Sequence, residues 1–393
     1  MDDGRAAMLA CDADAEELFD EARRLVPEIR GRAHRMERAG RLDEDLVDAL
    51  DDAGLFSILV PKRWGGKGLG PLEVSAVAEI LGGADMSTAW VSVFYMMHNW
   101  FICRFPLEVQ EQVYAGRNSV RCAAVWNPPG KAERVPGGHR LTGTWGYASG
   151  IVHAHYLIAP AVVDDIPHWF LLPREAVQVI DDWDMGAMRA TGSLTATVEN
   201  LFVAESWALP IETIVSAKAG EAAIHPESVY RYSFGALGAS IASACLGGLG
   251  TAINIARDRL FTSKPYGIAR SDREPSRIRW AHAYQFSRAA RAVRDATIRE
   301  MIRVEEAGAA KPPADAEAAF GLDNIFITQG AMEAARSLLD GGGTSGYAAN
   351  NPVRRISGDL AMIATHILSN DYDVLMERHA RRILGVSRTS KRS

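Results

Sequence analysis

The most informative part of this sequence is the stretch Arg354-Arg-Ile-Ser-Gly-Asp-Leu-Ala-Met-Ile-Ala-Thr-His-Ile367. Its apolar residues, which include Leu360 and Ile363, recur at the spacing of one helix face. The segment therefore predicts an amphipathic helix. A single histidine, His366, lies near its end. Because imidazole titrates close to neutral pH, this residue is either a packed interior histidine or a group that exchanges a proton with a ligand.

Composition indicates a globular protein. The chain has 393 residues, of which 48% are hydrophobic and 23% charged, and its formal net charge is -6. The length suggests two or three domains, and the acidic balance argues against nucleic acid as a partner. The four cysteines are scattered, which predicts reduced thiols with neither disulfides nor a metal site. No signal peptide is apparent, and no apolar run approaches the ~20 residues that cross a bilayer, so we expect a cytoplasmic protein without a membrane partner.

Hydrophobic periodicity divides the chain into three predicted domains. Residues 1–120 show helical spacing, residues 121–212 show short runs rich in β-branched and aromatic residues, and residues 213–393 return to helical spacing. Short, evenly spaced strands indicate a small sandwich or barrel, and long helices in succession indicate a bundle. The expected fold class is therefore mainly α with a central β domain.

A second informative stretch, Thr142-Gly-Thr-Trp-Gly-Tyr-Ala-Ser-Gly150, lies within the predicted β domain. Together with the order helical, β, helical, it resembles the acyl-CoA dehydrogenase superfamily over nearly the whole chain. In that superfamily the corresponding strand lies against the ring of a bound flavin. The resemblance implies that Ser149 places its hydroxyl near flavin N5 and that Tyr147 takes the neighbouring aromatic position. A fixed acceptor for N5–H slows the loss of that proton in a site closed to water; the alternative is a serine that only ends a strand.

The stretch that contains His366 resembles the helix that carries the catalytic base of the dehydrogenases. There, an Arg-Asp pair is followed eight residues later by the glutamate that removes the substrate's α-proton. In this sequence Gly358-Asp359 stands in place of the Arg-Asp pair. Eight residues after Asp359 is Ile367, which has no basic group, and the residue before Ile367 is His366. The chain therefore resembles the oxygen-using branch of the superfamily, the two-component flavin-dependent monooxygenases. That resemblance implies that His366 positions or deprotonates the substrate.

Two further segments add predicted cofactor contacts. The first, Val125-Trp126, resembles the family's first flavin-facing β segment, although the Gly-Ser-Asp that usually follows is missing. The second, residues 183–193, resembles a Met-Gly-x-Arg element whose polar side chains line the flavin or the substrate entrance. Its candidates are Arg189, Thr191 and Ser193. A structural turn accounts for these three residues equally well.

A glycine cluster, Gly341-Gly-Gly-Thr-Ser-Gly346, matches the dinucleotide pattern GxGxxG. It follows a predicted helix and lacks a βαβ unit, so it is a poor Rossmann fingerprint. It resembles instead a loop that lies near the cofactor of a neighbouring subunit, which implies cofactor contacts for Gly342 and Gly343. Beyond the helix of His366, the predicted cofactor contacts are Ser369 and Asn370.

Substrate contacts are predicted on an N-terminal helix that borders the substrate pocket in this superfamily. An aromatic ring and an imidazole there, Trp100 and His98, suit a flat aromatic substrate. A core stripe that includes a histidine is the alternative.

The resemblance implies the oxygenase component of a two-component flavin monooxygenase. It would take reduced FAD or FMN from a separate NAD(P)H-dependent reductase, react it with O2 to a C4a-hydroperoxide, and hydroxylate a small phenol- or indole-like substrate. A homotetramer is the expected assembly. Three alternatives remain open: an acyl-CoA dehydrogenase or oxidase with its base on another helix, an N-oxygenase of an amine or amino sugar, and a flavin-free helical binding protein.

Overall fold

A computed structural model describes residues 13–126, 129–215, 224–307, 314–366 and 372–386. The N-terminal part is helical because its apolar residues share one face; Leu18, Ala22 and Leu25, for example, are all buried. Gly54, with a φ of 73°, lies just after the second helix, where glycine takes the left-handed conformation that ends many helices. The helices of this part are α1 (Ala13–Ala39), α2 (Glu44–Asp52), α3 (Pro71–Ala84), α4 (Met86–Ile102) and α5 (Leu107–Val113).

The central part is one mixed β-sheet. Its strands run in the order β6-β7-β3-β2-β4-β5-β8, with β1 beside β4. β1 and β2 are parallel to β4, and the other neighbours are antiparallel. The strands are β1 (Cys122–Ala124), β2 (Gly130–Val135), β3 (Gly138–Ala148), β4 (Tyr156–Val163), β5 (Ile166–Pro173), β6 (Gln178–Ile180), β7 (Leu194–Ala204) and β8 (Ala208–Pro210).

The two faces of the sheet belong to different cores, because successive side chains on a strand point to opposite faces. On β5, Phe170 and Leu172 join a core made largely by the strands themselves. Trp169 and Leu171, which alternate with them, join the core of the N-terminal helices. The sheet is therefore fixed against the helices, and one of its faces is available to form a site with α4.

The C-terminal part is a helical bundle. Its helices are α6 (Ile211–Val215), α7 (Ala239–Thr262), α8 (Glu274–Glu306), α9 (Ala314–Gly341), α10 (Pro352–Ala364) and α11 (Tyr372–Leu384). The expected fold class, mainly α with a central β domain, is confirmed. One local expectation is wrong: α10 ends at Ala364, so His366 lies in the turn that follows. The amide of His366 donates to the carbonyl oxygen of Ile363 at 3.0 Å, which tightens the end of the helix.

α7 packs closely on α3 through glycine. A Cβ on Gly82 would lie 2.3 Å from the carbonyl oxygen of Ala244, and one on Gly247 would lie 2.1 Å from that of Glu79. Glycine at these two positions therefore allows the backbones of α3 and α7 to approach closely.

By length and composition α7 is able to cross a membrane, with a mean hydropathy of 1.4 over its most apolar window. This corrects the expectation that no apolar run reaches bilayer length. In the structure 72% of that window is buried inside the protein. The hydrophobic composition of α7 is explained by its place at the centre of the bundle.

Candidate functional site

A cavity of about 540 Å³ lies where α4, β3, the loop before β7 and the end of α10 meet. Its walls are largely aromatic or contain methionine, and its polar side chains are hydroxyls and imidazoles. None of the described lining residues is Asp, Glu, Lys or Arg. They are Trp90, Phe94, Met97, His98, Phe101, Ala124, Val125, Trp126, Gly146, Tyr147, Ser149, Trp183, Met185, Met188, Thr191, Ser193, Phe234, Met362, Ile363, Thr365 and His366.

One face of α4 forms the aromatic wall of the cavity. Its lining residues recur every three or four positions, which is the spacing of a single helix face. They are Trp90, Phe94, Met97, His98 and Phe101. Sequence reasoning finds only His98 among them. The helical spacing of the other four relative to His98 is the signal that identifies them.

Trp100 does not reach the cavity. It lies two positions after His98, which turns its side chain to another side of α4. Its indole nitrogen donates to the carbonyl oxygen of Val229 at 2.9 Å, and the guanidinium of Arg104 lies over its ring at 3.9 Å. Trp100 therefore ties α4 to the segment before α7, and its position does not support the predicted substrate contact.

His98 is held between two rings and has a defined tautomer. Its ring stacks on those of Phe94 and Phe101, with centroids 5.3 and 5.5 Å away. Its Nδ1 lies 2.6 Å from the carbonyl oxygen of Cys122. Because a carbonyl only accepts, Nδ1 carries the hydrogen and Nε2 is the acceptor. Burial lowers the pKa of His98 to about 4, so the ring is neutral near pH 7.

His366 lines the same cavity. Its ring packs edge-on against Trp90 with centroids 4.8 Å apart, and it lies 6.3 Å from the ring of Phe94. Burial lowers the pKa of His366 to about 4. The structure thus brings His366 and His98, predicted from distant parts of the sequence, to one aromatic cavity as neutral imidazoles.

Ser149 lies at the cavity because β3 ends in an irregular turn. The pairing of β3 with β7 shifts register between Trp145 and Ala148, and Tyr147 has a φ of 62°, which is unusual for a bulky residue. The amide of Ser149 donates to the carbonyl oxygen of Tyr147 at 2.9 Å. In this turn the Ser149 hydroxyl accepts a hydrogen bond from the indole nitrogen of Trp90 at 3.3 Å.

The loop before β7 brings Thr191 and Ser193 beside Ser149. The hydroxyl oxygen of Ser193 lies 2.8 Å from that of Ser149 and 2.7 Å from that of Thr191. The Thr191 hydroxyl donates to the carbonyl oxygen of Met188 at 2.8 Å. The three predicted hydroxyls therefore form one continuous, buried chain in the cavity wall.

α10 anchors this loop through Asp359. Its Oδ1 accepts a hydrogen bond from the amide of Met188 at 2.7 Å, across 171 positions of sequence. Burial, and after it the charge of Asp85, raises the pKa of Asp359 to about 7. Arg355, 3.7 Å from Asp85, opposes that shift. Sequence reasoning uses Asp359 only as a reference position, because nothing in its local pattern predicts the contact with Met188.

Arg189 lies on the same loop but is not among the residues that line the cavity. Its guanidinium donates to the carboxylate of Asp184 at 2.9 Å and to the carbonyl oxygens of Met185 and Glu37 at 2.7 and 3.2 Å. Arg189 therefore joins the loop to α1. Its position does not support the predicted contact with a cofactor.

Val125 and Trp126 line the cavity just after β1. The amide of Val125 donates to the carbonyl oxygen of Ile158 at 3.0 Å, which continues the pairing of β1 with β4. The Trp126 ring packs edge-on against Trp169 at 4.5 Å. Both predicted residues thus share the cavity with Ser149.

The glycine loop at 341–346 is not part of this cavity. Arg270 donates to the carbonyl oxygens of Gly341 and Gly342 at 2.5 and 2.9 Å, and Gly343 has a φ of 65°. Gly342 and Gly343 therefore do not line the cavity that contains Ser149 and His366. The remaining predicted contacts, Ser369 and Asn370, lie outside the described residues.

Comparison with known proteins gives concordant results. The family model for the acyl-CoA dehydrogenase N-terminal domain matches residues 12–117, and that for the C-terminal domain matches residues 233–371. The chain is 32% identical to the flavin-dependent monooxygenase oxygenase subunit HsaA of Mycobacterium tuberculosis over 241 residues, which cover 60% of this chain and 61% of HsaA. It is 29% identical to the indole-3-acetate monooxygenase of Pseudomonas putida, over 93% of this chain and 92% of that one. The crystal structure of 3-HSA hydroxylase from Rhodococcus sp. RHA1 is similar with a TM-score of 0.88 at 26% identity, over 96% of this chain and 99% of that one.

Proposed function

Because this chain belongs to the acyl-CoA dehydrogenase superfamily, in its flavin-dependent monooxygenase branch, we propose that it hydroxylates a small aromatic substrate with reduced flavin and O2. One observation carries the proposal. Ser149 and His366, which the family pattern assigns to the cofactor and the substrate, line one cavity whose other walls are mostly aromatic. That cavity has the size and the mixture of apolar surface and few polar groups that small-molecule sites have.

The β3 wall of the cavity fits a flat flavin ring. A Cβ built on Gly146 would meet only the hydroxyl oxygen of Thr195, at 3.6 Å, so packing within the protein does not require glycine there. A ring that lies against the strand does require it, because only glycine lets the backbone be approached closely. Ser149, three residues later, would then face the ring with its hydroxyl. Bound reduced FAD or FMN supplies the electrons that activate O2.

The two histidines serve the substrate in this proposal. With pKa values near 4, His98 and His366 are neutral at working pH, and a neutral imidazole has one acceptor nitrogen. A phenol O–H or an indole N–H is the donor that such a nitrogen binds. His366 also takes up that proton as the ring is hydroxylated. Phe94 and Phe101 hold the substrate ring by stacking and exclude water.

The cavity disfavours the dehydrogenase alternative. Removal of an α-proton needs a base, and the dehydrogenases use a carboxylate. None of the described lining residues is Asp or Glu. The binding-protein alternative requires that no flavin binds. The N-oxygenase alternative differs from the proposal only in the atom that receives oxygen. One experiment therefore separates the proposed hydroxylase from all three alternatives.

A separate NAD(P)H-dependent reductase is the proposed source of reduced flavin in the cytoplasm. Among the described residues no α-helix connects two strands, so the sheet contains no βαβ unit for a nicotinamide cofactor.

The glycine loop supports a homotetramer. Besides burial, the charges of Arg259, Arg273 and Arg279 lower the pKa of Arg270, which holds this loop. Such a cationic surface suits the phosphate of a flavin bound to a neighbouring subunit.

The test is oxygenation of an aromatic panel under ¹⁸O2. The protein is first titrated with reduced FMN and reduced FAD without oxygen, and then mixed with ¹⁸O2 and phenols, indoles or amines. We expect flavin binding and one ¹⁸O atom on an aromatic carbon of at least one product, measured by mass spectrometry. Label on nitrogen would favour the N-oxygenase, and desaturation of an acyl-CoA without label would favour the dehydrogenase. Failure to bind either reduced flavin would contradict the proposal.

A further inference from the structure

The hydroxyl chain in the cavity wall has a preferred direction. Its members are Ser149, Ser193 and Thr191, with successive oxygen–oxygen distances of 2.8 and 2.7 Å. It is bounded at one end by the indole N–H of Trp90, which can only donate, and at the other by the carbonyl oxygen of Met188, which can only accept. Each hydroxyl has one proton to donate.

Only one arrangement gives every proton an acceptor within the protein. Thr191 donates to the Met188 carbonyl, Ser193 donates to Thr191, and Ser149 donates to Ser193. In the reverse arrangement Thr191 donates to Ser193, Ser193 donates to Ser149, and the Ser149 proton points into the cavity without a protein acceptor. The first arrangement makes one hydrogen bond more, and a net hydrogen bond contributes ~0.5–1.5 kcal/mol.

In the preferred arrangement Ser149 faces the cavity as an acceptor. Its oxygen receives the hydrogen of Trp90 and its own proton is directed to Ser193, so one lone pair remains. The end of the chain is also fixed, because Asp359 accepts the amide hydrogen of Met188 at 2.7 Å. The direction of the chain is therefore set by groups that lie outside the flavin-facing strand.

We propose that Thr191 and Ser193 are positioning residues that make the cavity select the reduced state of the flavin. Reduced flavin has a hydrogen on N5, and oxidised flavin has a lone pair there. Ser149 as an acceptor pairs with N5–H. It pairs with the oxidised ring only if Ser149 turns its proton from Ser193 to N5, and the chain then has one hydrogen bond fewer. This inference rests on the proposed function, since it requires flavin in this cavity.

The experiment compares Thr191→Val with Thr191→Ser. Valine has nearly the shape of threonine but no hydroxyl, so Ser193 loses its acceptor and donates to Ser149, whose proton is released toward the cavity. Serine keeps the hydroxyl. For each protein the dissociation constants of oxidised flavin and, without oxygen, of reduced flavin are measured, and their ratio is the readout.

We expect the ratio of oxidised to reduced dissociation constants to fall about three- to tenfold in Thr191→Val and to stay within about twofold of the parent value in Thr191→Ser. The midpoint potential of the bound flavin should fall in parallel, by about 15 to 30 mV for a two-electron couple. Ser193→Ala, which removes the acceptor of the Ser149 proton directly, should lower the ratio as Thr191→Val does.

Two results would overturn the inference: an unchanged ratio in Thr191→Val, or an equal fall in Thr191→Ser, which would assign the effect to packing. Circular dichroism and thermal melting establish that the variants are folded. If the parent protein binds reduced flavin and the variants show the same ratio of oxidised to reduced dissociation constants as the parent, only this inference is contradicted. A parent protein that binds no reduced flavin contradicts the proposed function itself.

Discussion

At the scale of single residues, the cavity controls the protonation of its polar groups by burial and by fixed partners. His98 and His366 are kept neutral because an apolar surrounding disfavours imidazolium. Ser149 is oriented by Trp90 on one side and Ser193 on the other. Each of these groups therefore has one protonation state at neutral pH. We expect substitutions at Ser149 and at His366 to impair different steps of the reaction.

Replacement of Ser149 by Ala should uncouple flavin oxidation from hydroxylation. The variant lacks the acceptor for N5–H, and an unsatisfied buried donor costs ~1–3 kcal/mol. We expect product per flavin oxidised to fall about tenfold and hydrogen peroxide to rise to match it, with little change in substrate affinity. Both are quantified after a single turnover. Ser149→Thr, which keeps a hydroxyl, is the control, and parental coupling in Ser149→Ala would remove Ser149 from the cofactor site.

Replacement of His366 by Asn should slow hydroxylation and leave binding of reduced flavin unchanged. Loss of a positioned acid–base group typically costs ~10²–10⁴ in rate. Because the pKa of His366 is lowered to about 4, its acceptor nitrogen is lost only as the pH falls toward 4. The parental rate should therefore stay level through pH 6.5 and decline near pH 4, and that decline should be absent from the variant.

The control for this prediction is His282→Asn, since His282 is exposed on α8. Single-turnover rates are measured across the pH range for all three proteins. A parental rate in His366→Asn would show that His366 is a packed interior residue. A decline of the parental rate centred near pH 6.5 would show that His366 is solvated and that burial does not lower its pKa.

At the scale of elements, β3 and α10 together form part of the cavity wall and hold the loop between them in place. β3 offers a bare stretch of backbone at Gly146, and the irregular turn after it carries Ser149. α10 lines the cavity with its last turn and holds the opposite loop through Asp359. The geometry of the hydroxyl chain therefore depends on contacts between a strand, a loop and a helix.

Replacement of Gly146 by Val should weaken flavin binding without unfolding the protein. The added side chain meets only the hydroxyl of Thr195 within the protein but occupies the surface proposed for the ring. Overpacking of this kind costs ~1–3 kcal/mol, so the dissociation constant of reduced flavin should rise roughly 5- to 150-fold. Gly31→Ala, in open space on α1, is the control and should leave it unchanged. Undiminished affinity in Gly146→Val would place the ring elsewhere.

Replacement of Asp359 by Asn should change how stability depends on pH. The folded pKa of Asp359 is about 7 and the unfolded value is near 3.8, so between these values the folded protein binds more protons. Its contribution to the free energy of unfolding therefore falls as the pH rises from about 4 to 7 and is constant above. Asparagine keeps an acceptor for Met188 and does not titrate, so this component of the slope should disappear.

Urea unfolding at pH 5, 6, 7 and 8 measures that slope for the parent protein, for Asp359→Asn and for a control, Asp52→Asn, whose carboxylate is exposed. The control should follow the parent. If Asp359→Asn follows the parent as well, Asp359 titrates normally, and the amide hydrogen of Met188 and the charge of Arg355 compensate its burial fully.

At the scale of the whole molecule, the cavity is assembled by all three parts of the chain. The N-terminal helices supply α4, the sheet supplies β3 and the loop before β7, and the bundle supplies α10. The glycine loop and the cationic surface around Arg270 lie away from it. Large apolar side chains are exposed near that surface, with Tyr266 at 96% and Phe261 at 65%. Such exposure is typical of a surface that meets another subunit.

The protein should therefore be a homotetramer in solution. Light scattering after size-exclusion chromatography at micromolar concentration should give four times the chain mass. Tyr266→Glu places a charge on the exposed apolar surface and should lower that mass, whereas Glu300→Gln, at a side chain of α8 that is 45% exposed, should not. A monomeric mass for the parent protein would contradict the assembly and the role given to Gly342 and Gly343.

Much of this organisation is predictable from local sequence. The order of helices and strands follows from hydrophobic periodicity, which each segment carries in itself. The stretch at 142–150 predicts Ser149 as a cavity residue, and the position of His366 relative to Asp359 makes the sequence resemble an oxygenase more than a dehydrogenase. These features depend only on residues that are close in sequence, so a sequence motif is sufficient to predict them.

Other features were decided by the tertiary structure alone. His366 belongs to a turn because α10 stops at Ala364, and Trp100 leaves the cavity because the stripe of α4 that meets the sheet passes through His98. The direction of the hydroxyl chain depends on Trp90, Ser149, and Met188, which no window of sequence contains together. Local periodicity determines which elements form, whereas the protonation, orientation and partners of a buried side chain depend on groups that only the packed chain brings within hydrogen-bonding distance.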